Sequence, residues 1–213
     1  MPLFDENHGM INEGIICWDG ITQPETVKND DGTSYTKWTI KCIYAPNNPD
    51  IAMANELAQK CLRESKWKGY LPNGGNLPVN TLTPAEYDGR FTGHYVINFT
   101  TYRQPDVYDE NGALLDPMQY GRLIYSGQLV NVLFSCKSYD NKSKGIKAQL
   151  AGFSILASRN APRQEFGGGG IDTSKAFGSA PAQQQGGMQE SGKPMTMTSP
   201  FDAPRQDHNF LGQ

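Results

Sequence analysis

The stretch Tyr120–Ala157, YGRLIYSGQLVNVLFSCKSYDNKSKGIKAQLAGFSILA, decides the fold. From Gln128 to Tyr139 it alternates, with Val130, Val132, Phe134 and Cys136 on one side and Asn131, Ser135, Lys137 and Tyr139 on the other. Successive side chains of a strand point to opposite faces, so this period of two marks a strand with one buried and one wet face. Ser138–Ser143 then supplies turn formers. After Gly145 the alternation resumes, with Ile146, Ala148 and Leu150 opposing Lys147 and Gln149. The wet face and the loop together carry Lys137, Tyr139, Lys142, Lys144 and Lys147 within eleven residues, in a chain of formal net charge -3.

Outward from this pair, Ser34–Tyr44 alternates in the same way. Trp38, Ile40 and Cys42 form its apolar face; Tyr35, Lys37, Thr39 and Lys41 form its polar one. The turn signal Asn29–Thr33, NDDGT, joins it to an isoleucine-rich strand at Glu13–Ile21, which predicts a hairpin. Asn48-Pro49-Asp50 has the features of a helix start: an asparagine cap, proline at the first position and an acid at the positive end. Ile51, Ala54, Ala58, Cys61 and Leu62 follow at helical spacing. Trp67, between Lys66 and Lys68, is read as a lid on the core in preference to a stacking platform. Gly93–Arg103 is strand-like, with Tyr95, Ile97 and Phe99 facing the core, whereas Tyr70–Tyr87 reads as an irregular connection. His94 has no partner in view and is read as structural.

The chain has 213 residues and a mean hydropathy of -0.58, low enough that part of it lies outside a packed core. After Phe166 and four glycines the composition turns to Gly, Ala, Gln, Ser, Pro and Met, which buries too little apolar surface to offset the entropy of ordering. The expectation is therefore a folded domain over 1–162 and a disordered C-terminal tail over 163–213. Phe201 and Phe210 beside Asp202 and Asp207 have the pattern of a short partner-binding motif on that tether. No apolar run approaches membrane-spanning length, and MPLFDENHGM lacks the regions of a secretory signal, so a cytoplasmic location is expected. Cys17, Cys42, Cys61 and Cys136 are scattered, without metal-ligand spacing, and are read as reduced thiols.

Four or five short strands, one inserted α-helix and glycine-rich turns predict a mainly β, OB-fold-type five-stranded barrel. Such barrels bind single strands by stacking bases on aromatics and tracking phosphates with lysines. Candidate nucleic-acid-binding residues are Tyr35, Lys37, Lys41, Tyr102, Arg103, Lys137, Tyr139, Lys142, Lys144 and Lys147. The plainer alternative is that these lysines only keep sheet edges soluble. Neither a phosphate loop nor a nucleophile elbow is present in the sequence. Asp106, Asp109, Glu110 and Asp116 could be imagined as magnesium ligands of a nuclease, but acids beside Pro105 and Gly112 more often serve turns. No enzymatic activity, cofactor or metal is expected. A second alternative is an interaction or assembly protein that docks a protein through the same sheet face.

The motifs TGHYVIN (Thr92–Asn98), QPDVYDENGALLD (Gln104–Asp116), IYSG (Ile124–Gly127) and SKGIKAQLAGFSIL (Ser143–Leu156) stand in the order and approximate spacing of the phage single-stranded DNA-binding protein family, which the chain resembles over most of residues 10–180. The helix leading to Lys66-Trp67 and the stretch leading to Ala176-Phe177-Gly178 share the likeness. The resemblance implies an OB-fold that binds single-stranded DNA without sequence preference in phage replication, recombination or repair, in the cytoplasm of the infected bacterial host. It also implies the absence of catalysis, and recruitment of phage replication or recombination proteins by the tail. Two departures stand out: the tail has few acids and includes Arg205, and LPNGGNLPVN replaces a charged segment after the helix.

Overall fold

Alternation along the chain builds strands that close on one another. In the computed structural model, which describes residues 5–141, 143–159, 164 and 166, these are β1 (His8–Lys28), β2 (Ser34–Tyr44), β3 (Val79–Thr81), β4 (Tyr95–Thr101), β5 (Asp106–Tyr108), β6 (Leu129–Asp140) and β7 (Lys144–Ile155). The helix α1 (Asp50–Glu64) lies between β2 and β3 in the chain, and the single turn α2 (Tyr120–Leu123) precedes β6. The sheet order is β3-β4-β2-β1-β6-β7-β5, and an added β4–β7 pairing closes β4, β2, β1, β6 and β7 into a five-stranded barrel. That closure is parallel, Phe99 opposite Ala148 and Thr100 opposite Gln149, while the other four barrel pairings are antiparallel. This is the expected OB-type architecture.

The barrel interior is made of the residues that the period of two turns inward. Ile40, Cys42, Ile97, Phe99, Val130, Val132, Phe134 and Ala148 are fully buried, and the Phe99 and Phe134 rings meet edge to face at 5.3 Å. Removing the Phe134 ring would cost about 3–5 kcal/mol, the range for large core aromatics. The helix packs on this barrel, with Met53 and Leu57 lying where a side chain on Gly9 of β1 would have to go. It starts one residue later than the sequence indicates, with Pro49 at the cap position, and the Asn48 side chain accepts the Asp50 amide at 2.9 Å across Pro49. Its end comes at Glu64, so Lys66 and Trp67 lie beyond it. Trp67 is half-buried against Ala58, Leu62 and Ile146, a lid on the core.

One element differs from expectation: the irregular connection after α1 contains β3, which pairs with β4. Gln104–Asp116 turns back on itself, Tyr108 bridging Leu114, and its strand β5 also pairs in parallel with β7. Beyond the barrel wall, Phe166 packs with Cys17, Ile43, Leu82 and Val96, and the Gln164 amide donates to the Ser126 carbonyl at 2.8 Å. Both residues lie past position 162, on the tail side of the expected boundary. The described residues fall within one compact unit, Met1–Gly170; the second unit, Ile171–Gln213, lies outside them. Among the described residues no helix is long and apolar enough to cross a membrane. All four cysteines are free, and burial pushes the Cys136 thiol up to about 12, which keeps it protonated and unreactive at neutral pH.

Candidate nucleic-acid interface

The face that β2 and β4 turn away from the barrel interior carries the polar halves of their alternation. Thr39 pairs with Thr100 and Lys41 with Asn98, so the outward residues of the two strands stand side by side. The parallel β4–β7 closure extends this face to β7, and the β6–β7 register sets Lys137 directly opposite Lys147. β2, β4 and the β6–β7 hairpin, three separate parts of the chain, thus share one outer surface. The β1–β2 turn (Asn29–Thr33) and the β6–β7 turn lie in the chain where OB-folds place two of their ligand-binding loops.

At one end of this face three predicted residues meet. The Tyr35 and Tyr102 rings stand edge to face with centroids 5.1 Å apart. The Lys147 ammonium lies 4.5 Å from the Tyr102 ring centre and donates to its hydroxyl at 3.1 Å. Both rings keep large exposed surfaces, 37% for Tyr35 and 49% for Tyr102. An exposed ring whose position is set by a neighbouring ring and a cation is suited to stacking on a nucleobase.

Further along β2 the chemistry changes. Lys37 is paired with Glu25 at 2.8 Å, so its charge is largely balanced within the protein. Lys41 stands 5.6 Å from the centre of the Tyr87 ring. Trp18, the register partner of Lys41 on β1, is 62% exposed. Periodicity along β1 does not mark it as outward-facing. A strict alternation from the buried Ile16 would turn Trp18 inward, but a bulge between Ile16 and Trp18 reverses its face. A cavity of about 300 Å³ opens between Trp18, Lys37, Lys41 and Asn98.

Of the remaining candidates, Tyr139 shares the face of Lys137 and Lys147, two residues on from Lys137 along β6. Lys144 lies on the other face of the hairpin, 3.8 Å from Asp140, which is also held by Lys66. That hydrogen bond with Lys66 is the main reason the Asp140 carboxyl sits below the usual carboxylate range. Tyr139 is half-buried opposite Gly145, and Arg103 is exposed just past the end of β4. Lys142 and the tail residues Phe201, Asp202, Asp207 and Phe210 lie outside the described residues.

The acids after β4 are occupied by backbone. Asp109 accepts the amides of Asn111 and Ala113, Asp116 that of Met118, and Glu110 that of Ser158. Asp106 sits in β5 opposite Gly152. Among the described residues, no group of three or more His, Cys, Asp and Glu side chains could hold a metal ion.

A closed five-stranded barrel with this strand order is the OB-type architecture. Solved structures with this fold include the single-stranded DNA-binding protein of bacteriophage Enc34. It is 20% identical, with a TM-score of 0.59, over 82% of this chain and 92% of that one. The same phage protein in complex with single-stranded DNA is similar at 18% identity and a TM-score of 0.61, over 78% of this chain and 92% of the other. The chain resembles phage single-stranded DNA-binding proteins in fold. No protein-family model matches it, and no curated protein does.

Proposed function

We infer that the protein binds single-stranded DNA without sequence preference, as a non-enzymatic coat for strands exposed during phage DNA replication, recombination or repair in the host cytoplasm. The observation that carries this reading is the meeting of Tyr35, Tyr102 and Lys147 on the outer face of the barrel. Stacking is indifferent to base identity because every base has a flat face, and each stacked base is worth about 1–3 kcal/mol. Lys41, Lys137 and Lys147 supply positive charge on the same face, which makes a local basic track in an overall acidic protein. The fold shared with a phage protein solved in complex with single-stranded DNA supports the same reading.

Titration of labelled oligo-dT tests it. Binding is expected to persist in the presence of excess duplex. With about four phosphates neutralised, log affinity should fall against log salt with a slope of roughly -3. Equal affinity for duplex and single strand, or an affinity independent of salt, would remove the basis of this assignment.

A further inference from the structure

The groove on β2 leads into a second and larger cavity. About 950 Å³ in volume, it shares Trp18, Gln23 and Lys41 with the groove cavity and continues past Trp18 towards α2. That volume lies within the about 300–1,000 Å³ of pockets that enclose whole small ligands.

Two local departures from regular backbone shape it. On one side β1 bulges: Gly20 pairs with Thr39 and Glu25 with Lys37, so four residues, Ile21–Pro24, oppose Trp38 alone. Asp19 pins this bulge, accepting the Ile21 and Thr22 amides at 2.8 and 3.2 Å and the Thr22 hydroxyl at 2.6 Å. Bulges of this kind re-aim side chains beside functional sites. On the other side Tyr87, Asp88 and Gly89 have φ of 51°, 55° and 73°, three consecutive residues in the left-handed region that only glycine adopts freely. The surroundings enforce this conformation: the Tyr87 ring stands edge-on to Phe166 at 5.9 Å, and its hydroxyl meets the Cys17 sulfur at 3.5 Å. Strain of this sort concentrates where a side chain must be presented to a ligand.

We propose that this cavity is a capture pocket for a nucleotide that leaves the stacked path, its base entering between Trp18 and Tyr87 while Lys41 holds the adjoining phosphate. The proposal deepens the single-stranded DNA reading and rests on it. The occupant follows from three features: flat aromatic walls, a cation between them, and a mouth that opens onto the groove where the strand lies. A ligand arriving from the groove with both an aromatic ring and an anionic link is a nucleotide of the bound strand. The strand therefore turns at Trp18 instead of running straight along β2.

Gly121, in α2, gives a clean test. It lines the cavity, and a Cβ built on it meets nothing within 4 Å, so a side chain can be added at this cavity wall without a clash at Cβ, and Gly121→Phe is the variant designed to obstruct the pocket. The full chain is titrated with an oligo-dT length series spanning the about 4–16 nucleotides an OB fold covers. The wild type is compared with Gly121→Phe, with Trp18→Ala as a second pocket variant and Tyr102→Ala as a groove control. Gly121→Phe and Trp18→Ala are each expected to lose about tenfold in affinity for the longer oligonucleotides, the loss of one captured base. Gly121→Phe should match the wild type on the shortest oligonucleotides that bind, whereas Tyr102→Ala should be weakened at every length. If both pocket variants match the wild type at every length while Tyr102→Ala is weakened, the pocket assignment is overturned and the groove stands. If the wild type binds no oligonucleotide, both readings fall.

Discussion

Lys144 and Lys147 stand three residues apart on β7 and face opposite ways. Lys147 lies over the Tyr102 ring on the outer face of the barrel, whereas Lys144 sits with Asp140 and Lys66 on the side of the end of α1. A lysine held by an aromatic ring keeps its full charge and can still meet a phosphate. One held by a carboxylate is largely neutralised before any ligand arrives. Lys37, paired with Glu25, falls in the second class although it lies on the outer face. What decides a lysine's use here is its partner, and density of lysines along the sequence is a poor guide to it.

The hairpin that separates the two faces is itself vulnerable at Gly145. There φ is +148°, and an added Cβ would lie 2.2 Å from the Asn76 carbonyl oxygen, which accepts the Ile146 amide. Gly145→Val combines backbone strain with overpacking and should destabilise the protein by about 2–4 kcal/mol in urea or thermal unfolding. An unchanged midpoint would mean that the hairpin does not depend on this contact.

The comparison of the two lysines is tested by their salt dependence. Lys147→Gln should reduce the slope of log affinity against log salt by about 0.7, one phosphate contact on a single strand, and Lys144→Gln should leave it where it was. Equal effects from the two would dissolve the distinction. A smaller change in the opposite direction is expected at Glu25. Glu25→Gln frees Lys37, so binding should tighten and the salt slope should steepen by at most about 0.7. A weakened complex would show instead that Glu25 positions Lys37 for the strand.

The smallest effect concerns pH. Lys66 holds the Asp140 carboxyl below the usual range, so the folded state binds that proton less readily than the unfolded state. The resulting stabilisation is present above the ordinary carboxylate pKa and is lost as pH falls through the depressed value. Unfolding midpoints measured from neutral pH to below about pH 4 should show a slight acid sensitivity that Asp140→Asn removes. Affinity for oligo-dT at neutral pH should not change with that substitution, since Asp140 lies off the outer face.

Much of the barrel was legible in the sequence because β2, β4, β6 and β7 alternate apolar and polar residues over most of their length. The helix was legible through its cap and its apolar stripe. β3 and the parallel pairing of β5 were not, since each of these strands is only three residues long and is defined by the strand it pairs with. β1 runs from His8 and not from Glu13 because its bulges break the alternation that would have marked it. The site divides the same way. That Tyr35, Lys37, Lys41, Lys137 and Lys147 face outward could be read locally. That Tyr35, Tyr102 and Lys147 meet could not, because it depends on the parallel closure of β4 on β7. Trp18 was hidden by a bulge, and the neutralisation of Lys37 by a partner across the β1–β2 hairpin.

The long first strand has a consequence for synthesis. Its N-terminal half finds its partner only in β6, with His8 opposite Ser135, and the barrel closes only when Phe99 meets Ala148. Emerging from the ribosome, the β1–β2 hairpin can form early, but the stretch from His8 to Ile11 remains an open strand edge until more than a hundred further residues have been made. Pairings of such high sequence separation are slow to form and expose edges to other chains in the meantime. The N-terminal edge of β1 is thus the place where a crowded population of nascent copies would first cross-pair, and where a chaperone would have most to shield.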